Sequence, residues 1–220
     1  MHDHRASAEE LAALGDAVLS CLDDLLRPVH RRSLRVRRRL GRWRLSWLVA
    51  PWILIGLVRA VLFGDQPAVV ASHERAVGLY RRFSGKDPQV ARAEVWRIVY
   101  QLTPLDERVR RLDGDRPGAP RGADREELSA AAAALVGYYL AGRRTDDELL
   151  GEVEAAWAEH EDLAEQWRQR AVGWGRPGRR RAEPTIESRE QVVTDRYLVA
   201  WRRWFDRQAQ QGAPVGLTDP

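Results

Sequence analysis

Cysteine and alternating apolar patterns are nearly missing from this chain of 220 residues. Cys21 is the only cysteine, so the sequence excludes an internal disulfide and a cysteine-based zinc site, and it fits a reducing, cytoplasmic setting. No stretch of useful length alternates apolar and polar residues as a half-buried strand would. Apolar residues recur instead at helical spacing. The sequence therefore predicts an all-α protein, a multi-helix array or bundle with short connections.

Lysine is as scarce as cysteine, because Lys86 is the only lysine among 36 basic residues. This preference for arginine, with abundant alanine and glycine, indicates a GC-rich bacterial genome, so the number of arginines is weak evidence for nucleic-acid binding. Their position is more informative. Residues 1–63 carry 11 arginines against 6 acidic residues, whereas residues 64–220 carry 25 basic against 26 acidic residues. The excess positive charge is therefore N-terminal.

The positive charge is concentrated in a predicted basic amphipathic helix that begins near Arg31. Between Arg31 and Arg44 the chain has eight arginines and no acidic residue. The apolar residues of this stretch are spaced four, three and four apart, as on one face of a helix; they are Val36, Leu40, Trp43 and Trp47.

The most apolar part of the chain, residues 45–63, follows this basic stretch at once. Arginines near anionic lipid and tryptophans at the headgroup boundary are typical of a membrane interface. We therefore expect residues 31–63 to bind the cytoplasmic face of an anionic membrane, peripherally or as a single pass. Pro51 and Arg59 leave open whether the run spans the bilayer or forms a buried core helix. The predicted contact residues are Arg31, Arg32, Arg35, Arg38, Arg39, Arg42, Trp43, Trp47 and Trp52.

Two other interpretations of the same residues stay open. Guanidinium groups neutralise phosphates and indoles stack on exposed bases, so the chain could be a soluble helical nucleic-acid-binding protein. The alignment of Trp43 and Trp47 with the apolar face favours packing or membrane insertion over base stacking. In the third interpretation, the chain is a subunit of a larger assembly that buries residues 45–63 against another protein.

Capping signals divide the chain into segments. They predict an N-terminal amphipathic helix at 1–28 ending at Pro28, the basic and apolar segment at 29–64, a helical core at 65–172, a linker at 173–184, and a C-terminal helix with a tail at 185–220. No cleavable signal is expected at the start. Further helix starts are predicted at Ser7, Ser72, Asp87-Pro88, Thr103-Pro104, Thr145 and Ser188, with a Pro/Gly loop at 114–122.

Residues 124–171 predict a helical hairpin, because the turn at 142–145 separates two amphipathic stretches. Trp157 lies on the apolar stripe of the second stretch and should be buried. Nine acidic residues lie between Asp146 and Glu165 without a lysine or arginine, and they predict a solvated or partner-facing surface. A further alternative is that they neutralise the arginine helix of the same molecule.

Chemistry-bearing residues do not form a recognisable catalytic or metal-binding motif. The five histidines lack the spacing that brings metal ligands together, and His160, among acidic residues, is expected at the solvated surface. Cys21 lies on an apolar stripe, where burial would raise its pKa and leave it inert. We therefore predict no catalytic residue, no cofactor and no metal, and a non-enzymatic membrane-associated adaptor or scaffold whose protein partner is unidentified.

The C-terminal helix carries a cluster of aromatic residues, Trp201, Trp204 and Phe205, between arginines. Such a stripe is commonly core, with arginine stems covering its edges. If the linker at 173–184 is flexible, the helix could instead detach and dock these side chains into the groove of a partner.

Overall fold

The computed structural model describes residues 6–40, 67–115, 121–172 and 184–211. These residues fold into helices without a strand, which confirms the predicted all-α helical array. The helices are α1 (Ala8–Leu40), α2 (Pro67–Ser84), α3 (Pro88–Asp115), α4 (Arg121–Leu140), α5 (Glu148–Val172) and α6 (Pro184–Gln210).

The chain divides into two compact units, Met1–Tyr100 and Gln101–Pro220, and the division falls within α3. In the first unit α1 packs closely against α2. Its core contains the apolar stripe predicted for the first helix, and Cys21 is fully buried there, as expected. The other fully buried side chains of this core include Leu14, Val18, Tyr80, Val95 and Ile98.

The second unit is built around α4, α5 and α6. Ala130 to Val136 are seven successive buried residues, so α4 is enclosed around its whole circumference, which its alanines permit by their small size. Helices α5 and α6 pack closely along their lengths. Tyr139, Tyr197 and Trp201 are at most 1% exposed, and Trp157 is 5% exposed, which confirms its predicted burial.

Two of the predicted helix starts are confirmed by their hydrogen bonds. The backbone N–H of Ser7 donates to Glu10 Oε2 at 2.8 Å and the N–H of Glu10 donates to Ser7 Oγ at 3.3 Å, which is the predicted capping box. At the start of α3, Asp87 Oδ1 accepts from the N–H of Gln89 at 2.8 Å, and Pro88 is the first helical residue.

Two predicted helix boundaries at prolines are wrong, because α1 continues through Pro28 to Leu40 and α3 continues through Pro104. A proline inside a helix removes one backbone hydrogen bond and clashes with the preceding turn. Burial of neighbouring apolar side chains offsets that cost: Leu25 and Leu26 precede Pro28, and Leu102 and Leu105 flank Pro104.

Three predicted caps lie elsewhere than expected. Helix α2 begins at Pro67, so Ser72 lies inside it and its hydroxyl donates to the carbonyl of Ala68 at 2.9 Å. Helix α6 begins at Pro184, before Ser188. Helix α5 is capped by Asp147 instead of Thr145, because Asp147 Oδ1 accepts from the N–H of Leu149 at 3.0 Å.

The predicted turn between the two helices of residues 124–171 is confirmed, although its first helix starts earlier, at Arg121. Gly142 has φ of +69°, a left-handed conformation that glycine adopts without strain. The N–H of Arg143 donates to the carbonyl of Tyr138 at 2.8 Å and that of Gly142 to Tyr139 at 3.1 Å. This pair of bonds is a Schellman motif, and it ends α4.

Candidate functional site

The structure describes five of the predicted membrane-contact residues, all before the end of α1. Arg31, Arg32, Arg35, Arg38 and Arg39 lie on the helical backbone of α1. The remaining predicted contacts, Arg42, Trp43, Trp47 and Trp52, lie outside the described residues, as does the apolar run 45–63. Among the described helices, none is sufficiently long and apolar to cross a bilayer.

The aromatic cluster assigned to partner docking is part of the core instead. Trp201 is fully buried, and Trp204 and Phe205 are 6% and 7% exposed. The rings of Trp201 and Trp204 meet edge to face with centroids 5.7 Å apart, and Phe205 lies 5.1 Å from Trp204. The surface that these rings would offer to a partner is therefore covered within the second unit, as expected of an aromatic stripe that forms core.

A buried polar cluster that sequence reasoning missed joins four helices through residues of the second unit. The side-chain amide of Gln101 donates to Tyr139 Oη and to Glu154 Oε2, both at 2.9 Å, and the hydroxyl of Tyr139 donates to Glu154 Oε2 at 3.2 Å. The hydroxyl of Tyr197, on α6, donates to the backbone carbonyl of Gln101. Helices α3, α4, α5 and α6 thus share one hydrogen-bonded network.

Glu154 is the charged member of this buried polar cluster, and its side chain is only 13% exposed. The guanidinium of Arg143 lies 3.5 Å from the Glu154 carboxylate and also covers the ring of Tyr139 at 5.2 Å. A charge placed this deep is tolerated because hydrogen bonds and an opposite charge surround it. Burial raises the pKa of Tyr197, so its phenol stays a neutral donor, and burial also raises the pKa of Tyr138, whose ring meets that of Tyr139.

This buried polar cluster fixes the register of the second unit and offers no activated nucleophile. Glu154 faces two donors and a guanidinium, an arrangement that holds it as a structural acceptor. In the part of the chain that the structure describes, no three His, Cys, Asp or Glu side chains come together as a metal site.

The acidic face predicted on α5 is paired with arginines of α6. Glu152 lies 3.1 Å from Arg203, and Glu159 lies 3.1 Å from Arg196. Both pairs are largely exposed, so each contributes little to stability, but together they complement the charges of two adjacent helices. Glu152 and Glu159 of this acidic face are thus paired with arginines of the last helix.

Burial suppresses the charged forms of three described side chains, His73, His160 and Cys21. His160 is half-buried and stacks on Trp157 at 4.9 Å, which corrects its expected position on the solvated surface. Burial lowers the pKa of His160, and it also lowers that of His73, which stacks on Trp96 at 4.2 Å. Burial raises the pKa of the Cys21 thiol to about 11, as its apolar position predicted.

Comparison with known proteins does not assign this chain to a family. No family model, no curated protein and no solved structure matches the chain. The residues themselves carry the functional argument.

The buried polar cluster left one weak signal in the sequence. Gln101 and Tyr139 each fall on an apolar stripe, and polar side chains in such positions are buried with partners more often than they are exposed. The partner, Glu154, is hidden among nine acidic residues of similar spacing, so only the packing of helices distinguishes it.

Proposed function

We propose that this chain is a non-enzymatic helical adaptor that binds the cytoplasmic face of an anionic membrane through residues 31–63 and offers its helical units to protein partners. The observation that carries the proposal is the continuity of α1 from Ala8 to Leu40. The first part of this helix is anchored in a packed core by buried residues including Leu14, Val18 and Leu22. The basic stretch extends the same helix, so a surface bound there is coupled to a folded body.

The helical repeat supports an interfacial role for the basic stretch. At about 100° per residue, five arginine positions of α1 fall within about 120° of arc. Each arginine near an anionic surface contributes about 1 kcal/mol before screening. The five positions are Arg31, Arg32, Arg35, Arg38 and Arg39.

In the described part of the chain, Cys21 and Glu154 are held in structural roles, which supports a role in binding. The thiol of Cys21, with its pKa at about 11, is almost entirely protonated at neutral pH and is a poor nucleophile. Glu154 is engaged by Gln101 and Tyr139.

Flotation of the full chain with liposomes tests the proposal. We expect the chain to float with vesicles rich in phosphatidylserine at low salt, and to float less with neutral vesicles or at high salt. Replacing Arg35, Arg38 and Arg39 by glutamine should weaken flotation. Changing Trp47, Trp52 and Leu54 to serine removes apolar contacts and should weaken it further.

A matched control removes the same charge from another helix. Arg75, Arg81 and Arg82 are exposed on α2, and their replacement by glutamine should leave flotation unchanged if the basic stretch of α1 is the contact. A parent chain that stays at the bottom of the gradient at low salt would contradict the membrane proposal. Steeply salt-dependent binding to DNA or RNA by that same chain would favour the nucleic-acid alternative.

A further inference from the structure

A shallow groove of about 440 Å³ runs between α5 and α6 on the second unit. It lies outside the buried polar cluster and outside the aromatic core. Small side chains line part of it, and charged side chains of both signs flank it. Its lining residues include Ala156, Val192, Asp195, Val199, Ala200 and Arg203.

Two valines of this groove are unusually exposed. Val192 is 51% exposed and Val199 is 52% exposed, and they are two of the four exposed large apolar side chains in the described part of the chain. They lie seven residues apart on α6, so they share one side of the helix. This spacing is typical of a seam that receives another helix.

The charges around Val199 make the stripe complementary to itself. Asp195 lies four residues before Val199 and Arg203 lies four residues after it, and both side chains are exposed. When two copies of α6 run antiparallel and cross at Val199, Asp195 of each copy faces Arg203 of the other. Arg203 already contacts Glu152 at 3.1 Å, and its guanidinium has five N–H donors, so it can serve both carboxylates.

We propose that this groove receives α6 of a second copy of the chain, forming an antiparallel dimer with its two-fold axis at Val199. A two-fold interface must be complementary to itself, because the same surface of each copy forms both sides. A groove that binds an unrelated helix has no such requirement. The opposite charges at equal spacing on either side of Val199 meet that requirement. The dimer is independent of membrane binding, because it uses α6 and no residue of α1.

Disulfide cross-linking of the full chain tests the proposal and its register. In a Val199→Cys variant the two new thiols meet at the axis, so mild oxidation should convert most of the chain to a dimer on a non-reducing gel. Cys21 is fully buried and should not contribute. Val199 is half exposed, so the substitution should not disturb folding.

Val192→Cys is the matched control on the same helix. In the proposed register residue 192 of one copy lies opposite residue 206 of the other, 14 residues along the helix. At 1.5 Å per residue, the two copies of residue 192 are therefore about 21 Å apart along the helix axis. A disulfide needs Cα atoms within about 7 Å, so this variant should stay monomeric on the gel. Val90→Cys, equally exposed on α3, controls for random collision.

Reversing the charges of Asp195 and Arg203 tests the register of the dimer. In the Val199→Cys background, Asp195→Arg should lower the yield of cross-linked dimer, and adding Arg203→Asp should restore it. Cross-linking of Val199→Cys no stronger than that of Val192→Cys or Val90→Cys would overturn the dimer. A yield unaffected by Asp195→Arg would overturn the antiparallel register.

Discussion

The indole nitrogen of Trp204 donates a 2.7 Å hydrogen bond to Oδ2 of Asp147, which joins the C-terminal half of α6 to the N-cap of α5. The other oxygen of the same carboxylate caps α5 through the N–H of Leu149 at 3.0 Å. Arg207 lies 3.8 Å from that oxygen. One carboxylate thus satisfies a helix terminus and a buried indole.

Replacing Asp147 by alanine should lower the free energy of unfolding by about 1–3 kcal/mol. The loss combines an N-cap, worth about 1 kcal/mol, with a buried indole N–H left without an acceptor. Asp146→Ala is the matched control, because Asp146 is exposed and is not the cap. Urea denaturation measures both variants, and equal midpoints for the two would contradict the assigned role of Asp147.

Removing the hydroxyl of Tyr139 should destabilise the second unit by about 1–3 kcal/mol, because Gln101 and Glu154 lose a buried partner. Tyr138→Phe is the control, since Tyr138 is similarly buried and no hydrogen bond of the buried polar cluster involves it.

A double-mutant cycle tests whether Tyr139 and Glu154 act together. Tyr139→Phe and Glu154→Gln should couple by about 0.5–3 kcal/mol, the range for side chains in one hydrogen-bonded network. Additive effects of the two substitutions would show that this network is not cooperative.

Deleting residues 185–220 should abolish the cooperative unfolding of the second unit. The sequence favoured the opposite result, because residues 173–184 have the composition of a linker. The structure instead buries Tyr197 and Trp201 of α6 in the core of the second unit, so the deletion exposes the surfaces that they cover. Thermal melts measured by near-ultraviolet circular dichroism report this loss.

A shorter truncation provides the control for this deletion. Ending the chain at Gln211 keeps every buried side chain of α6, of which Phe205 is the last, and should leave the transition in place. A cooperative transition that survives removal of the whole helix would contradict the core role of α6.

The first unit should lose stability as the pH falls below about 6.5, the ordinary pKa of histidine. Burial lowers the pKa of His73 in the folded state, so below that pH the unfolded chain binds more protons and the folded state is penalised. Glu74 opposes the shift, and Arg92 acts on His73 in both directions, through a backbone hydrogen bond and its own charge. Thermal unfolding between about pH 8 and pH 5.5 measures the slope.

Replacing His73 by glutamine should flatten this pH dependence, whatever its effect on stability at neutral pH. Val77→Ala, also on α2 and buried, should lower stability at every pH without changing the slope. An unchanged slope in His73→Gln would assign the acid sensitivity to other groups.

Features of this fold are predictable from the sequence where the interacting residues lie close together along the chain. The caps at Ser7 and Asp87 were predictable because each bond spans two or three residues. The burial of Cys21 and Trp157 was predictable because helical spacing alone assigns a side chain to the apolar face. The burial of Trp201 was not predictable from the composition of the segment before α6, because composition does not register packing.

Local backbone hydrogen bonds and side-chain periodicity make this chain helical, place several of its helix starts and set which side of each helix is apolar. These properties are therefore predictable from the amino-acid sequence alone. Packing between helices explains why α1 and α3 run through their prolines, because the energy of that packing offsets the lost backbone hydrogen bonds. The tertiary structure also selected Glu154 from nine acidic residues, since its contacts with Tyr139 and Gln101 span 15 and 53 residues. Residues so far apart in the sequence are brought together by the packing of helices, and the spacing of residues along the chain does not specify that packing.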